Sequence, residues 1–115
     1  MKIKTVLCLL LTMASFTSWA SERSEQAWTL IEQGAFLVDV RTPDEFSQGH
    51  LTGSTNSPLS TVDTAFAGVD KEMPIVVYCR SGNRSGKAMD YLKNAGFTQV
   101  HNGGGLEEMQ SSQPK

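Results

Sequence analysis

The sequence predicts a single α/β domain: a small parallel sheet with helices on both faces. Three observations carry that reading. Two short runs, residues 36–40 (Phe-Leu-Val-Asp-Val) and 74–78 (Pro-Ile-Val-Val-Tyr), are nearly continuous in apolar residues, as expected of strands buried on both faces. Segments of helical periodicity alternate with them, the pattern of a parallel sheet with crossover helices. The chain has 115 residues, enough for one core and not for two.

The elements follow in order. Ser24 is expected to cap a helix that carries Ala27, Trp28, Leu30 and Ile31 on one side and ends at Gly34. Residues 36–40 form the first strand. Thr42 and Pro43 open a short helix, with Pro43 at its first position. Residues 49–53 are turn chemistry, and 54–56 a short strand. Leu59, Val62 and Phe66 have the three- and four-residue spacing of a helix over 59–66. Residues 74–78 are the clearest strand, with Cys79 directly after it. A helix is expected over 85–95, with Ala88, Tyr91, Leu92 and Ala95 on one face. Gly96 is placed to end it in the left-handed conformation, with Phe97 folding back on Leu92. Residues 99–101 make a last strand, 103–105 a turn and 106–109 a brief helix before a frayed polar tail. Trp28 and the methionines are read as core residues, and lysines and glutamates on helices as solvated.

Composition narrows the function. The formal charge of −2 argues against nucleic-acid binding. Two cysteines are too few for a disulfide scaffold or a four-thiolate zinc site. The N-terminus reads as a secretory signal over residues 1–20: Lys2 and Lys4, an apolar core, then Ser18-Trp19-Ala20 as a small-x-small cleavage site. The apolar core of roughly 11 residues is short of the ~20 that span a bilayer. A buried N-terminal helix or an uncleaved anchor is the alternative. Cleavage after Ala20 leaves residues 21–115 as the domain. It removes Cys8, read as signal filler, and leaves a charge of −4 and one thiol, Cys79. Exported proteins normally pair their cysteines, so a lone one there suggests a reactive thiol or an intermolecular partner.

The chemistry lies between Cys79 and Ser85, through Arg80, Ser81, Gly82, Asn83 and Arg84. Ligands in parallel α/β folds bind beyond the carboxyl ends of the strands. There the N–H groups of a tight loop and of the next helix can cradle an anion. Gly82 lets the loop bend through positive φ. Arg80, Arg84 and Lys87 add local positive charge. A thiol in that field ionises easily, and the same cradle favours an anionic group attached to the sulfur. The alternative, a small buried cysteine at a strand end, does not call for cations around it.

These residues resemble the rhodanese-like sulfurtransferases. One stretch runs from Leu37 through Asp39, Arg41, Glu45 and Phe46 to Gly49-His50-Leu51, Gly53-Ser54 and Pro58-Leu59. A second is the loop from Val76 to Ser85, and a third combines Gly96-Phe97, Val100 and Gly104-Gly105-Leu106. The ordered set spans nearly all of residues 21–115. With the signal peptide, it is similar to the small exported single-domain thiosulfate sulfurtransferases of bacteria. The resemblance implies a ping-pong reaction in which Cys79 takes the outer sulfur of thiosulfate as a persulfide and passes it to cyanide or a thiol acceptor. It implies that loop N–H groups from Arg80 to Ser85 stabilise the persulfide and that Arg80 and Arg84 attract the anionic donor, with no metal or organic cofactor. The expected protein is a periplasmic monomer that contacts neither nucleic acid nor, after cleavage, membrane.

Tyrosine phosphatases use a similar cysteine and arginine with five residues between them, whereas Cys79 and Arg84 have four. The shorter ring fits a persulfide better than a tetrahedral phosphate. Asp39 and Arg41 are expected to form a buried ion-pair network near the site, joined by Glu45, with His50 in a hydrogen-bonding turn role. A non-catalytic persulfide carrier stays open as an alternative. A thiol redox role is opposed by the missing second cysteine. Two departures from the family pattern are the lack of an edge strand before the first helix and Met109 in place of an aromatic residue.

Overall fold

The computed structural model describes residues 20–115. The readings of the signal peptide and of Cys8 fall on residues 1–19 and lie outside the described residues. The elements are α1 (Glu22–Glu32), β1 (Phe36–Asp39), α2 (Pro43–Ser47), β2 (Thr55–Asn56), a 3-10 turn (Leu59–Thr61), α3 (Val62–Ala65), β3 (Ile75–Cys79), α4 (Asn83–Asn94), β4 (Val100–Gly105) and α5 (Leu106–Ser111). The four strands are all parallel, in the order β2-β1-β3-β4.

The pleat of β3 divides the core in two. Ile75, Val77 and Cys79 face Ala88 and Leu92 of α4 together with Val62, Phe66 and Phe97. Val76 and Tyr78 face Ala27 and Trp28 of α1 and Met109 of α5. All five β3 residues are buried, which explains a run with no polar alternation.

Most elements form for the reasons visible in the sequence, with informative differences. Ser21, not Ser24, caps α1. The two serines form a reciprocal box in which the Ser21 hydroxyl accepts the Ser24 N–H at 3.1 Å and Ser24 Oγ accepts the Ser21 N–H at 3.0 Å. Thr42 and Glu45 form the corresponding box on α2, with Pro43 at its start. The helix expected over 59–66 is broken into a 3-10 turn and the short α3. Thr61, Val62 and Thr64 are β-branched, and Asp63 Oδ1 takes the Thr64 N–H at 2.8 Å, both unfavourable to a continuous helix. Val62 and Phe66 are nevertheless buried as their spacing implies.

Helix α4 begins at Asn83, two residues earlier than expected, and Cys79 closes β3 rather than following it. Gly96 has φ +103°; its N–H reaches Lys93 O and the Phe97 N–H reaches Leu92 O, each at 3.0 Å, the Schellman ending anticipated for this helix. Tyr91 and Met73 are exposed, at 43% and 39%, and are not core residues. Residues 103–105 are not a turn but the end of β4. Tyr78 pairs with Gly104 and Val77 with Asn102, so Gly103 is an extra residue in the ladder. A Cβ at Gly103 would lie 2.7 Å from Met109 Sδ, so glycine here serves close packing. Met109 is fully buried, and its carbonyl accepts the Trp28 Nε1 proton at 2.8 Å.

Tyr78 ties the sheet to the loop after α2. Its hydroxyl accepts the Leu51 N–H at 3.0 Å and shares a hydrogen bond with Ser54 Oγ at 3.1 Å. Burial pushes the phenol up to about 12. Tyr78→Phe leaves a buried N–H without its acceptor, a loss of about 1–3 kcal/mol. The expected result is a lower urea midpoint at an unchanged slope.

Candidate active site

Cys79 is the last residue of β3 and is 1% exposed. Its place in the pleat aims Sγ at the start of α4. Gly82, with φ +97°, turns the chain directly into that helix as its N-cap. Sγ accepts the Gly82 N–H at 3.1 Å and lies 3.4 Å from both the N–H and the hydroxyl of Ser85. The single Ser85 proton also faces Asn102 Oδ1 at 2.7 Å. Burial pushes the Cys79 thiol up. The Ser85 hydroxyl and the N–H groups of Ser85, Ser81 and Gly82 outweigh it, and the thiol lies below its ordinary value.

The loop is braced on two sides. On one, Arg84 forks onto Glu45, with Nη1 to Oε1 at 2.8 Å and Nη2 to Oε2 at 3.0 Å. Glu45 Oε1 also accepts the Thr42 N–H at 3.0 Å, so one carboxylate caps α2 and seats the arginine. The Arg84 hydrogen bonds, followed by the Thr42 N–H, hold Glu45 down at about 2. Arg80 lies 3.8 Å from Glu45 with its side chain 73% exposed. On the other side, Asn102 Nδ2 donates to Gly82 O at 3.0 Å, while its Oδ1 accepts the Gly104 N–H at 3.0 Å. Gly105 runs under the loop: a Cβ there would lie 2.2 Å from Arg80 O. Ser81 and Asn83 are exposed, and the Asn83 N–H reaches Ser81 Oγ at 3.4 Å.

The expected network near the site is two networks. Asp39 and Arg41 form a buried pair, with Nη2 to Oδ2 at 2.7 Å; Arg41 also donates to Gly49 O at 2.7 Å. Their pairing raises the Arg41 guanidinium further. Glu45 makes no hydrogen bond to either and acts on Arg41 through its charge alone; its direct partners are Arg84 and Arg80, because α2 carries it across to the loop. His50 Nδ1 lies 2.7 Å from Phe46 O, and its ring stacks on Phe46 with centroids 3.6 Å apart, a turn arrangement. Asn102 and Arg23 touch the loop and Glu108 seats Arg23; the sequence singles out none of the three. Glu108, read there as solvated, is bound to Arg23 at 2.8 Å. Two small recesses flank the loop. One, of about 220 Å³, is lined by Arg41, Arg80, Leu106 and Glu107; the other, of about 280 Å³, is lined by Val40, Thr42, Pro58, Leu59, Ser60 and Arg84. Among the described residues no group of three His, Cys, Asp or Glu side chains is placed to hold a metal ion.

A buried thiol drawn toward its anion by N–H groups at the carboxyl edge of a parallel sheet defines a cysteine-centred, anion-cradling α/β enzyme. Comparison with known proteins narrows the class. The description "Rhodanese-like domain" matches residues 23–112. Thiosulfate sulfurtransferase GlpE of Pseudomonas aeruginosa strain LESB58 is 40% identical over 91 residues, covering 78% of this chain and 83% of that one. Thiosulfate sulfurtransferase PspE of Escherichia coli strain K12 is 39% identical over 74 residues, covering 63% and 71%. The solved structure titled "rhodanese with anions from E. coli" aligns at a TM-score of 0.62 and 37% identity, over 70% of this chain and 95% of that one. The chain belongs to the rhodanese-like family and is a sulfurtransferase of the rhodanese type.

Glu45 sets an acid limit. Its carboxyl sits at about 2 in the fold against an ordinary 4.5. The stabilisation it brings is therefore complete above the ordinary value and lost as pH falls toward about 2. Glu45→Gln removes that dependence. Between about pH 6 and 3, the urea midpoint of the wild type should fall further than that of the variant.

Proposed function

We propose that the chain is a thiosulfate sulfurtransferase that carries sulfur as a persulfide on Cys79. The observation that supports it best is the set of donors around Cys79 Sγ: Gly82 N–H at 3.1 Å and Ser85 N–H at 3.4 Å, with the Ser85 hydroxyl, shared with Asn102, also at 3.4 Å. Such donors favour a thiolate at rest and would equally favour the anion of a bound sulfur. The thiolate attacks the outer sulfur of thiosulfate. A bond forms between the two sulfurs, the bond from the outer sulfur to the sulfonate sulfur breaks, and its electron pair leaves with sulfite. Cyanide or a thiolate then attacks the outer sulfur of Cys79–S–S⁻ and restores the thiolate. No proton is consumed by the cyanide route, so no general base is required.

The two arginines take different parts. Arg84 is satisfied by Glu45 and serves to hold the loop. Arg80 is exposed beside its recess and is the cation that draws the dianionic donor. The N–H groups of Ser81, Gly82 and Ser85 line the cradle, and Asn83 starts the helix behind it. Arg84 aimed at Glu45, with only four residues between it and Cys79, also disfavours a phosphatase. Every group named comes from one chain, so a monomer suffices. Cleavage after Ala20 and a periplasmic location complete the reading.

Intact mass tests it directly. The purified protein should begin at Ser21 and gain one sulfur atom from thiosulfate, and Cys79→Ser should gain none. Thiocyanate should form from thiosulfate and cyanide with the wild type alone. Sulfur loading without turnover would identify a carrier instead. Arg80→Ala should raise KM for thiosulfate about 3- to 10-fold with a smaller change in kcat, as expected for lost electrostatic attraction.

A further inference from the structure

Arg23 has no part in the reaction proposed above, yet its guanidinium reaches from the first turn of α1 to the loop. Nη2 donates to Ser81 O at 3.2 Å. Nε and Nη2 bind the two oxygens of Glu108 at 2.8 and 2.9 Å. Glu108 is held in turn by the Gly105 N–H at 3.1 Å and by the Ser21 hydroxyl. The pair is pressed against bare backbone: a Cβ at Gly82 would lie 2.5 Å from Arg23 Nη2, and one at Gly104 would lie 2.3 Å from Glu108 Oε1.

The Ser81 carbonyl and the Gly82 N–H are two sides of one planar trans peptide and point in opposite directions. That N–H lies 3.1 Å from Cys79 Sγ, closer than the Ser85 groups at 3.4 Å. Arg23 therefore holds the outer side of the peptide whose inner side faces the sulfur. The next peptide has other restraints, since Gly82 O accepts from both Asn102 Nδ2 and the Gly86 N–H at 3.0 Å. Arg23 is the one side-chain donor to Ser81 O among the described residues.

We propose that Arg23, seated by Glu108, is a positioning residue for sulfur transfer: it orients the Ser81–Gly82 peptide so that its N–H faces the sulfur of Cys79. The proposal rests on Cys79 as the sulfur carrier, but its effect on the thiol can be read without turnover. The other charges around the thiol, Arg80, Arg84 and Glu45, lie on the opposite brace. The Arg23 hydrogen bonds hold Glu108 down at about 2, and Glu108 raises Arg23, so both stay charged wherever the thiol titrates.

The test is alkylation of Cys79 by iodoacetamide, followed by intact mass from about pH 5 to 10, on the whole protein and its Arg23→Ala, Arg23→Lys and Glu108→Gln variants. Arg23→Ala should move the midpoint up by about one unit and slow alkylation about tenfold below it. It should lower kcat for thiosulfate with KM little changed. Arg23→Lys, which can still donate to Ser81 O, should recover part of both effects. Circular dichroism reports folding. Glu108→Gln separates positioning from charge, because losing a carboxylate near the thiol would by itself lower the midpoint, whereas an arginine no longer seated should raise it. A folded Arg23→Ala whose profile superimposes on the wild type, or a folded Glu108→Gln whose midpoint does not rise, overturns the proposal. A shifted profile in a protein that takes no sulfur from thiosulfate would overturn the sulfur-transfer reading and leave the positioning role intact.

Discussion

Everything at this site depends on holding one sulfur out of water and among N–H donors. Cys79 is buried at the end of the central strand, and burial alone opposes ionisation. Hydrogen bonds to a charged acceptor are stronger than those to a neutral one, so N–H groups aimed at the sulfur favour its anion, and here they decide the sign. The cradle need not supply many donors, but those it has must point inward.

That requirement explains why so much of the chain is spent on holding seven residues. Glu45 comes from α2, Asn102 and Gly105 from β4, Arg23 from α1 and Glu108 from α5. Glu45, Asn102, Gly105 and Arg23 touch the loop from outside, Glu108 seats Arg23, and among the described residues only Ser85 and the loop's own backbone face the sulfur. Of the two arginines in the loop, Arg84 is held tightly by Glu45, whereas Arg80 lies farther from the same carboxylate and is largely exposed at the rim.

The fold class and the loop were legible because their signals are local. A run without polar alternation announces a buried strand, and residues 79–85 are contiguous. What the sequence concealed depends on crossovers. Proximity in sequence pairs Glu45 with Asp39 and Arg41, but α2 delivers its hydrogen bonds to Arg84, 39 positions away. Arg23 falls ahead of the helix that Ser24 is expected to cap, Glu108 has the pattern of a solvated helix charge, and the two are 85 positions apart. Residues 103–105 have the composition of a turn, whereas their lack of side chains lets β4 pass beneath the loop and beside Met109. Ser21 and Ser24 are both able caps, and only their reciprocal bonding shows which begins the helix.

The alternation along β3 carries one more consequence. Cys79 meets the start of α4 because it has the same parity as Ile75 and Val77. Inserting or deleting one residue in this strand would turn the thiol toward α1 and α5, away from every donor it uses. Two residues would restore the face but displace the sulfur by about 6.6 Å along the strand. The length of β3 is therefore fixed by the loop it feeds, and any change of length must fall in the connections instead.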